Sequence, residues 1–188
     1  MLKKIERAQQ LLKKEAAVFR CPTCHEPMHL EGVGLICQQR HQFDLSKKGT
    51  LYFLNHSVQT EYNKKMFTSR GKMIQSGMYA PVLNKIMHYL PQNKTVVDVG
   101  CGEGSFLAEL SQAGLSGLKI GFDLSKEGIY LASNQPIDAF WCVADLTNLP
   151  FANEGLDTIL NIFSPSHYQE FRRVLKADGT VIKIIPEE

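Results

Sequence analysis

Apolar positions along the chain follow two different periods. Over the first 19 residues they recur along one side of an amphipathic helix, at Leu2, Ile5, Leu12, Ala16 and Phe19. From residue 94 onward, short apolar runs alternate with helical patterns, including a second amphipathic helix predicted at 168–175. The predicted strands are 94–99, 118–122, 139–144, 156–163 and 179–185. Strands that alternate with helices predict an α/β fold whose parallel sheet binds ligands at the carboxyl ends of its strands.

Length and charge narrow this prediction. The 188 residues leave room for one domain, or one domain plus a small module, and 44% of them are apolar, so a core can form. The net charge of +2 conceals two opposed halves. Residues 1–94 hold 15 basic and 6 acidic side chains, whereas residues 95–188 hold 6 and 13. The basic half favours an anionic partner.

Aromatic residues such as Phe43, Tyr52 and Tyr62 are interleaved in that half with basic residues such as Lys48 and Arg70. This mixture is typical of surfaces that bind single-stranded or looped RNA, where bases stack and phosphates are neutralised. Two other interpretations remain open. The charges can be an ordinary solvated surface, or they can meet an acidic protein.

The N-terminus is charged throughout and lacks the apolar centre of a secretory signal, and no window reaches about 18 consecutive apolar residues. We therefore expect a cytoplasmic protein without membrane association. In the cytoplasm thiols stay reduced, so the five cysteines are better explained by a metal or by burial than by disulfides.

Four residues have the spacing of a zinc site. Cys21 and Cys24 form a C-x2-C turn, and after twelve intervening residues Cys37 and His41 form a C-x3-H pair. Three thiolates and one imidazole make a closed tetrahedral site, provided that a short hairpin, turning near Gly32–Gly34, brings the two pairs together. The sequence predicts a Cys3His zinc-binding module.

Other interpretations of these residues remain open. Scattered reduced cysteines would have the same composition, and His25 or His29 could replace His41 as the fourth ligand. Cys21 to His25 also has the form of a c-type haem attachment site, although that would require export and would leave Cys37 unexplained.

A glycine-rich turn follows the strand that ends at Val99, with Gly100, Gly102 and Gly104 before a helical pattern. Glycines allow a close approach of the backbone to a ligand. The next strand ends in Asp123, the position where a doubly wound fold holds ribose hydroxyls, although Asp123 could instead cap the following helix. Because the pattern is G-x-G-x-G rather than G-x-G-x-x-G, a dinucleotide is disfavoured.

These motifs resemble a known family. Val-Asp98-Val-Gly-Cys-Gly-Glu-Gly104, Asp123 and Ala-Asp145-Leu resemble class I S-adenosylmethionine-dependent methyltransferases with a Rossmann-like sheet. Together with Cys-Pro-x-Cys, Ser76-Gly-Met-Tyr79-x-Pro81 and Asn161-Ile-Phe-Ser-Pro165, residues 20–188 resemble bacterial 23S rRNA (guanine-N1)-methyltransferases. The resemblance implies transfer of a methyl group from S-adenosylmethionine to N1 of a guanine, in 23S rRNA or a precursor of the large ribosomal subunit.

The resemblance also implies roles for individual residues. The cofactor-binding residues would be Tyr79, Asp98, Gly100, Gly102, Glu103, Gly104, Asp123, Asp145 and Leu146. Gly100 to Gly104 would line the methionine part of S-adenosylmethionine. Asp123 would hold the ribose, and Asp145 and Leu146 would border the adenine. Tyr79 would close over the cofactor, unless it only packs beside Pro81. Asn161 and Pro165 would position the base, and no general base is assigned.

Four segments follow from these assignments: an N-terminal helix (1–19), the zinc-binding module (20–55), a helical linker that covers the cofactor (56–94) and the methyltransferase domain (95–188). The family has two further strands and a C-terminal segment after the fifth strand, so this chain is expected to be C-terminally incomplete. An edge strand left unpaired favours a homodimer. The alternatives are another S-adenosylmethionine-dependent RNA or small-molecule methyltransferase, and a non-catalytic zinc and RNA-binding fragment.

Overall fold

A six-stranded parallel sheet forms the centre of the fold in the computed structural model, which describes residues 1–187. Glu188, the last residue of the predicted methyltransferase domain, lies outside the described residues. In chain order the strands of this sheet are β4 (Thr50–Tyr52), β5 (Val96–Val99), β6 (Lys119–Asp123), β7 (Phe140–Val143), β8 (Leu156–Ile162) and β9 (Leu175–Ile184). Their order across the sheet is β4-β7-β6-β5-β8-β9.

The predicted parallel α/β sheet is confirmed, and one strand was not foreseen. β4 pairs in parallel with β7, through Leu51 opposite Cys142. Only three residues long, β4 is too short to show a period, and its partner lies about 90 residues later in the chain. At the other edge, β9 begins with Leu175 opposite Leu156 and resumes regular pairing only at Thr180, opposite Thr158.

The helices cover the faces of this sheet. Their bounds are α1 (Lys4–Glu15), α2 (Lys64–Gln75), α3 (Ala80–Tyr89), α4 (Ser105–Gln112), α5 (Lys126–Ala132) and α6 (Tyr168–Val174). The N-terminal amphipathic helix is present but shorter than predicted: it buries Ala8 and Leu12, whereas Leu2, Ala16 and Phe19 lie outside it. The side chains of Asn63 and Ser125 cap α2 and α5 by accepting backbone N–H bonds.

A small antiparallel sheet precedes β4. It consists of β1 (Met28–Glu31), β2 (Gly34–Cys37) and β3 (Gln42–Asp44), in that order. Glu31 pairs with Gly34 across the turn, where Gly32 has a φ of 62°, so the predicted hairpin is present. This sheet brings the end of β2 back to the turn that precedes β1.

The N-terminal elements and the large sheet share one hydrophobic core. Phe19, fully buried after α1, lies 5.1 Å from Phe140 of β7 and 5.6 Å from Phe53 between ring centroids. Leu12 and Phe151 belong to the same cluster. Helix α1 and the small sheet are therefore packed into the fold rather than attached to it.

Within residues 1–187, no helix is both long and apolar enough to cross a membrane.

Candidate functional site

The four predicted zinc ligands converge. Atoms of Cys21, Cys24, Cys37 and His41 that can bind a metal all lie within 4.8 Å of one another. Two turns cause this convergence: the N–H of His25 donates to the carbonyl of Cys21, and that of Arg40 to the carbonyl of Cys37. The residues that close these turns, His25 and Arg40, have positive φ angles of 64° and 67°.

The spacing of the donor atoms fits zinc. Zinc bonds of about 2.3 Å to sulfur and 2.0–2.1 Å to nitrogen, at tetrahedral angles, place two sulfurs about 3.8 Å apart and a sulfur and a nitrogen about 3.6 Å apart. The Sγ atoms of Cys24 and Cys37 are 3.6 Å apart. Nδ1 of His41 lies 3.5 Å from Sγ of Cys21 and 3.4 Å from Sγ of Cys37.

Electrostatics at this cluster differ from thiol to thiol. Desolvation raises the pKa of Cys24 to about 11. At Cys37 desolvation is outweighed by hydrogen bonds from His41 and the neighbouring thiols, which lower its pKa to about 7. Cys37 is thus the first of these two thiols to become a thiolate. His25 and His29 are exposed and lie outside the cluster, so His41 is the imidazole that joins it.

The second cluster lies at the carboxyl edge of the large sheet, across the adjacent strands β7, β6, β5 and β8. The glycine-rich loop follows β5, and its glycines all have positive φ angles. At Gly102 a side chain would be impossible without rearrangement, because a Cβ there would lie 2.6 Å from Nη1 of Arg70. The loop is also fixed from β6, since Oδ2 of Asp123 accepts the N–H of Gly102 at 2.9 Å.

Two carboxyl groups beside this loop are buried and carry raised pKa values. Burial, with Asp123 and Glu103 nearby, raises the pKa of Asp98 to about 7, although Arg70 opposes the shift. Within residues 1–187, Oδ2 of Asp98 is buried without a hydrogen-bond partner. Burial also raises the pKa of Asp123, against N–H donors from Ser125 and Gly102. The cap of α5 is Ser125, so Asp123 is not its N-cap.

Arg70 is a site residue that the sequence analysis did not assign. It extends from α2 across the loop, where Nη1 donates to Oε2 of Glu103 at 2.6 Å and to the carbonyl of Cys101 at 3.4 Å. Its guanidinium also lies 5.1 Å from the ring centroid of Phe106. The pKa of Arg70 is raised, because Glu103 outweighs desolvation. A spacing of about thirty residues between the partners gives no pattern by which the pair could be recognised.

The remaining predicted cofactor residues border the same edge. Oδ1 of Asp145 accepts both the N–H and the hydroxyl of Thr147 at 2.8 Å, while Leu146 is half-buried beside it. The half-buried ring of Tyr79, just before α3, lies 5.4 Å from that of Phe106 and 5.9 Å from that of Phe163. Tyr79 thus belongs to an aromatic wall next to the glycine-rich loop.

Asn161 and Pro165 lie in one loop after β8, but the Asn161 amide is fully buried and points into that loop. Its Nδ2 donates to the hydroxyl of Ser164 at 2.6 Å and to the carbonyl of Pro165 at 3.0 Å. Ser164 in turn donates to the carbonyl of Val99, just before the glycine-rich loop, at 2.7 Å. The Asn161 side chain therefore fixes the position of the loop, while Phe163 is exposed at a φ of 52°.

Two family models match the chain. The model described as "RlmA, N-terminal", a zinc ribbon, matches residues 19–56, and the model described as "Methyltransferase domain" matches residues 96–179. The chain therefore combines an RlmA-type zinc ribbon with a methyltransferase domain. The RlmA ribbon model includes the four residues of the Cys3His cluster, and the second model includes the glycine-rich loop and Asn161. Helix α1 lies outside both.

Relatives named as 23S rRNA (guanine-N1)-methyltransferases match most of the chain. A Bacillus subtilis (strain 168) protein, provisionally named 23S rRNA (guanine-N(1)-)-methyltransferase YxjB, is 41% identical over 182 residues, which is 90% of this chain and 64% of that protein. The 23S rRNA (guanine(748)-N(1))-methyltransferase of Streptomyces fradiae is 27% identical over 184 residues, which is 94% of this chain and 66% of that protein. The chain thus spans just under two thirds of the length of these relatives.

Solved structures resemble the sheet region. A protein of Methanococcus maripaludis, provisionally described as an S-adenosyl-L-methionine-dependent methyltransferase, matches with a TM-score of 0.56 at 18% identity, over 67% of this chain and 65% of that chain. A SAM-dependent methyltransferase from Aquifex aeolicus matches with a TM-score of 0.50 at 19% identity, over 62% of this chain and 69% of that chain. Both likenesses concern the fold, which is that of class I methyltransferases.

Proposed function

We propose that this chain forms the zinc-bearing and cofactor-binding part of an S-adenosylmethionine-dependent enzyme that methylates N1 of a guanine in a loop of 23S rRNA. The observation that carries the proposal is the 41% identity, over 90% of the chain, to a relative named for this reaction. A zinc ribbon and a glycine-rich loop that are joined through one sheet support it. An rRNA substrate would place the protein in the cytoplasm.

The charges at the sheet edge suit this cofactor. S-adenosylmethionine carries a sulfonium, an ammonium and a carboxylate. Facing the loop are three carboxyl groups, of Asp98, Glu103 and Asp123, and one guanidinium, of Arg70. We propose that Asp98, with its unpartnered Oδ2, and Glu103 face the cationic end, and that Arg70 binds the carboxylate.

The other cofactor contacts follow the strand order. We propose that Gly100, Gly102 and Gly104 line the methionine part, that Asp123 binds the ribose hydroxyls, and that Asp145 and Leu146 border the adenine. Asp123 has capacity for this, because a carboxylate accepts about four hydrogen bonds and Asp123 accepts one N–H at each oxygen. Tyr79 would cover the methionine end.

Methyl transfer from a sulfonium is a direct displacement: the N1–CH3 bond forms, the S–CH3 bond breaks to leave the thioether, and the N1 proton is released to water. The protein must therefore hold guanine N1 in line with the methyl group. When bound, S-adenosylmethionine supplies that methyl group. We propose that the loop from Asn161 to Pro165 positions the base: Asn161 fixes the loop, and the exposed ring of Phe163 offers a stacking surface. A guanine in a duplex would have to be flipped out, which favours a looped RNA.

Mapping of modified nucleotides tests the proposal. Ribosomal RNA from a strain that lacks the gene should lose one N1-methylguanine from 23S rRNA, as read by mass spectrometry of nuclease fragments, and the intact gene should restore it. Loss of a different methylated nucleotide, or of none, would contradict the guanine-N1 assignment. Calorimetry with S-adenosylhomocysteine tests the cofactor site separately.

We propose a division of labour along the chain: the N-terminal helix (1–19) packs into the core, the ribbon (20–55) contacts RNA, the linker (56–94) covers the cofactor, and residues 95–188 bind it. We further propose a homodimer through β9, whose outer edge pairs with no strand within residues 1–187. Sedimentation over a range of concentrations tests this, and a monomer throughout would contradict it.

A further inference from the structure

A basic cleft lies between α1 and the amino ends of β4 and β7, at the opposite end of the sheet from the glycine-rich loop. It has a volume of about 300 Å³, and among its lining residues are Lys4, Arg7, Lys14 and Lys48. One acidic residue lines it, Asp138, which is 3.7 Å from Arg7 and largely exposed. The cleft is therefore strongly positive.

The positive charges are held in place by the fold. Leu12 anchors α1 in the core. The loop before β4 packs so closely on α1 that a Cβ at Gly49 would lie 2.8 Å from the carbonyl of Lys4 and 3.0 Å from Cβ of Ala8. Burial together with Lys48 and Arg7 lowers the pKa of Lys4, as is expected where like charges crowd. An anion in the cleft would relieve this repulsion.

The cleft continues along α5 towards the candidate cofactor site. Nζ of Lys48 lies 5.3 Å from the ring centroid of Tyr130, whose side chain is 52% exposed. Tyr130 also lines a second cleft, of about 310 Å³, with Lys64, Lys126 and the acidic Glu127. Helix α5 follows directly after Asp123, so this second cleft lies near the carboxyl edge of the sheet.

We propose that this surface binds the backbone and one base of single-stranded RNA outside the target guanine. We name it the α5 track, and it consists of Arg7, Lys14, Lys48, Tyr130, Lys126 and Lys64. The cations would neutralise successive phosphates, and Tyr130 would stack a base, as basic grooves with exposed aromatic rings do for single strands. The inference deepens the proposed function by adding contacts from α1, α2 and α5 to those of the ribbon region, which is matched at residues 19–56 and supplies Lys48.

Salt dependence of RNA binding tests the track. The probe is a fluorescent single-stranded RNA of about 20 nucleotides, titrated with the intact zinc-loaded chain without cofactor. Log affinity falls as log salt concentration rises, and each phosphate contact contributes about 0.7 to the steepness of this fall. The variant Arg7→Gln/Lys14→Gln/Lys48→Gln should therefore make the slope shallower by about 2. The matched control Lys13→Gln/Lys85→Gln/Lys94→Gln removes the same charge from exposed positions outside the track and should change the slope by less than 0.5. Equal slopes for the two variants would overturn the proposal.

Stacking is tested at Tyr130. Tyr130→Ala should weaken RNA binding about tenfold, and Tyr130→Phe should restore it, because stacking needs the ring and not the hydroxyl. If Tyr130→Ala has no effect and polyglutamate of equal charge competes as well as RNA, the surface serves an acidic protein instead and the RNA proposal fails. These experiments use neither cofactor nor methyl transfer. They therefore test RNA binding by the α5 track separately from the guanine-N1 assignment.

Discussion

Charge balance at the glycine-rich loop depends on one residue, Arg70. It is the cation that faces Asp98, Glu103 and Asp123, and its Nη1 bonds to Glu103 at 2.6 Å. Within residues 1–187 Arg70 donates hydrogen bonds through Nη1, so the other guanidinium nitrogens remain able to bind a ligand. A guanidinium pairs with a carboxylate through two parallel bonds, which an ammonium cannot do.

Replacing Arg70 should therefore weaken cofactor binding. We expect Arg70→Met to raise the dissociation constant for S-adenosylhomocysteine about 10- to 100-fold, because a charged hydrogen bond contributes about 1.5–3 kcal/mol. Arg70→Lys should lie between this variant and the parent. Isothermal titration calorimetry measures the change, and Lys72→Met, an exposed position on the same helix, is the control. Equal affinities for Arg70→Met and Lys72→Met would contradict the assignment.

Asp98 should make stability depend on pH. Burial raises its pKa from 3.8 to about 7, so between these values the folded chain keeps a proton that the unfolded chain has lost. The buried carboxyl then destabilises the fold increasingly as pH rises, until about pH 7. Asp98→Asn stays neutral, so we expect its free energy of unfolding, relative to the parent, to rise by about 2 kcal/mol between pH 5.5 and pH 8.

Urea unfolding of zinc-saturated protein measures this pH effect. Asp178→Asn, at an exposed position, is the control and should show no such trend. A pH-independent difference between Asp98→Asn and the parent would mean that Asp98 is ionised throughout the range.

Sequence alone could identify the residues of this site that stand at fixed positions relative to strands and turns. Gly100, Asp123 and Asp145 follow three apolar runs, and the structure brings them to one edge. Arg70 could not be identified, because its partner Glu103 lies on a different element and a salt bridge between distant residues leaves no periodic signal. The inward direction of the Asn161 amide could not be predicted from the sequence either, because the hydroxyls that bind it belong to the same loop.

At the scale of elements, α1 shows why a segment outside the family models still matters to the fold. Leu12 has no exposed surface and lies in the cluster that includes Phe140 of β7. Burial of a leucine of this kind contributes several kilocalories per mole, more than the intrinsic stability of a twelve-residue helix in water. The helix is therefore stable because the sheet covers its apolar side.

Leu12→Ala should destabilise the whole chain. We expect the free energy of unfolding to fall by about 2–5 kcal/mol, the range for a leucine truncated in a packed core. Urea unfolding followed by the fluorescence of Trp141, in β7, measures the effect at the sheet. Leu2→Ala, at an exposed position, should change the value by less than about 0.5 kcal/mol. A normal Trp141 transition in Leu12→Ala would mean that α1 unfolds by itself.

Elements differed in how far the sequence could predict them. Five apolar runs predicted five of the strands, with ends within about four residues, because buried parallel strands are continuously apolar. The sixth, β4, has a single fully buried residue, Leu51, and exists because β7 offers it an open edge. For the same reason the segments 20–55 and 95–188, separate in the sequence pattern, contribute to one sheet.

For the whole molecule, this shared sheet links the zinc ribbon to the cofactor site. The ribbon continues into β4, and β4 pairs with β7, which carries Trp141. A Cβ at Gly104 would lie 2.7 Å from the Trp141 ring, so the ring packs directly beneath the glycine-rich loop. Trp141 is the single tryptophan of the chain and so reports on the sheet rather than on the ribbon.

Removal of zinc should consequently lower the stability of the sheet. Cys21 and Cys37 are buried in the same core as Phe140. Loss of the metal leaves their thiols without a common ligand and loosens the turns of the small sheet, from which the chain continues into β4. We expect Cys37→Ser, or chelation of the parent, to lower the Tm read from Trp141 by several degrees, at about 2–4 °C for each kcal/mol lost. Cys142→Ala removes a buried thiol outside the cluster and should keep its zinc, as metal analysis can verify. If zinc-free protein kept the Trp141 transition of the parent, the ribbon would be an independent unit, and its role would be confined to the RNA side.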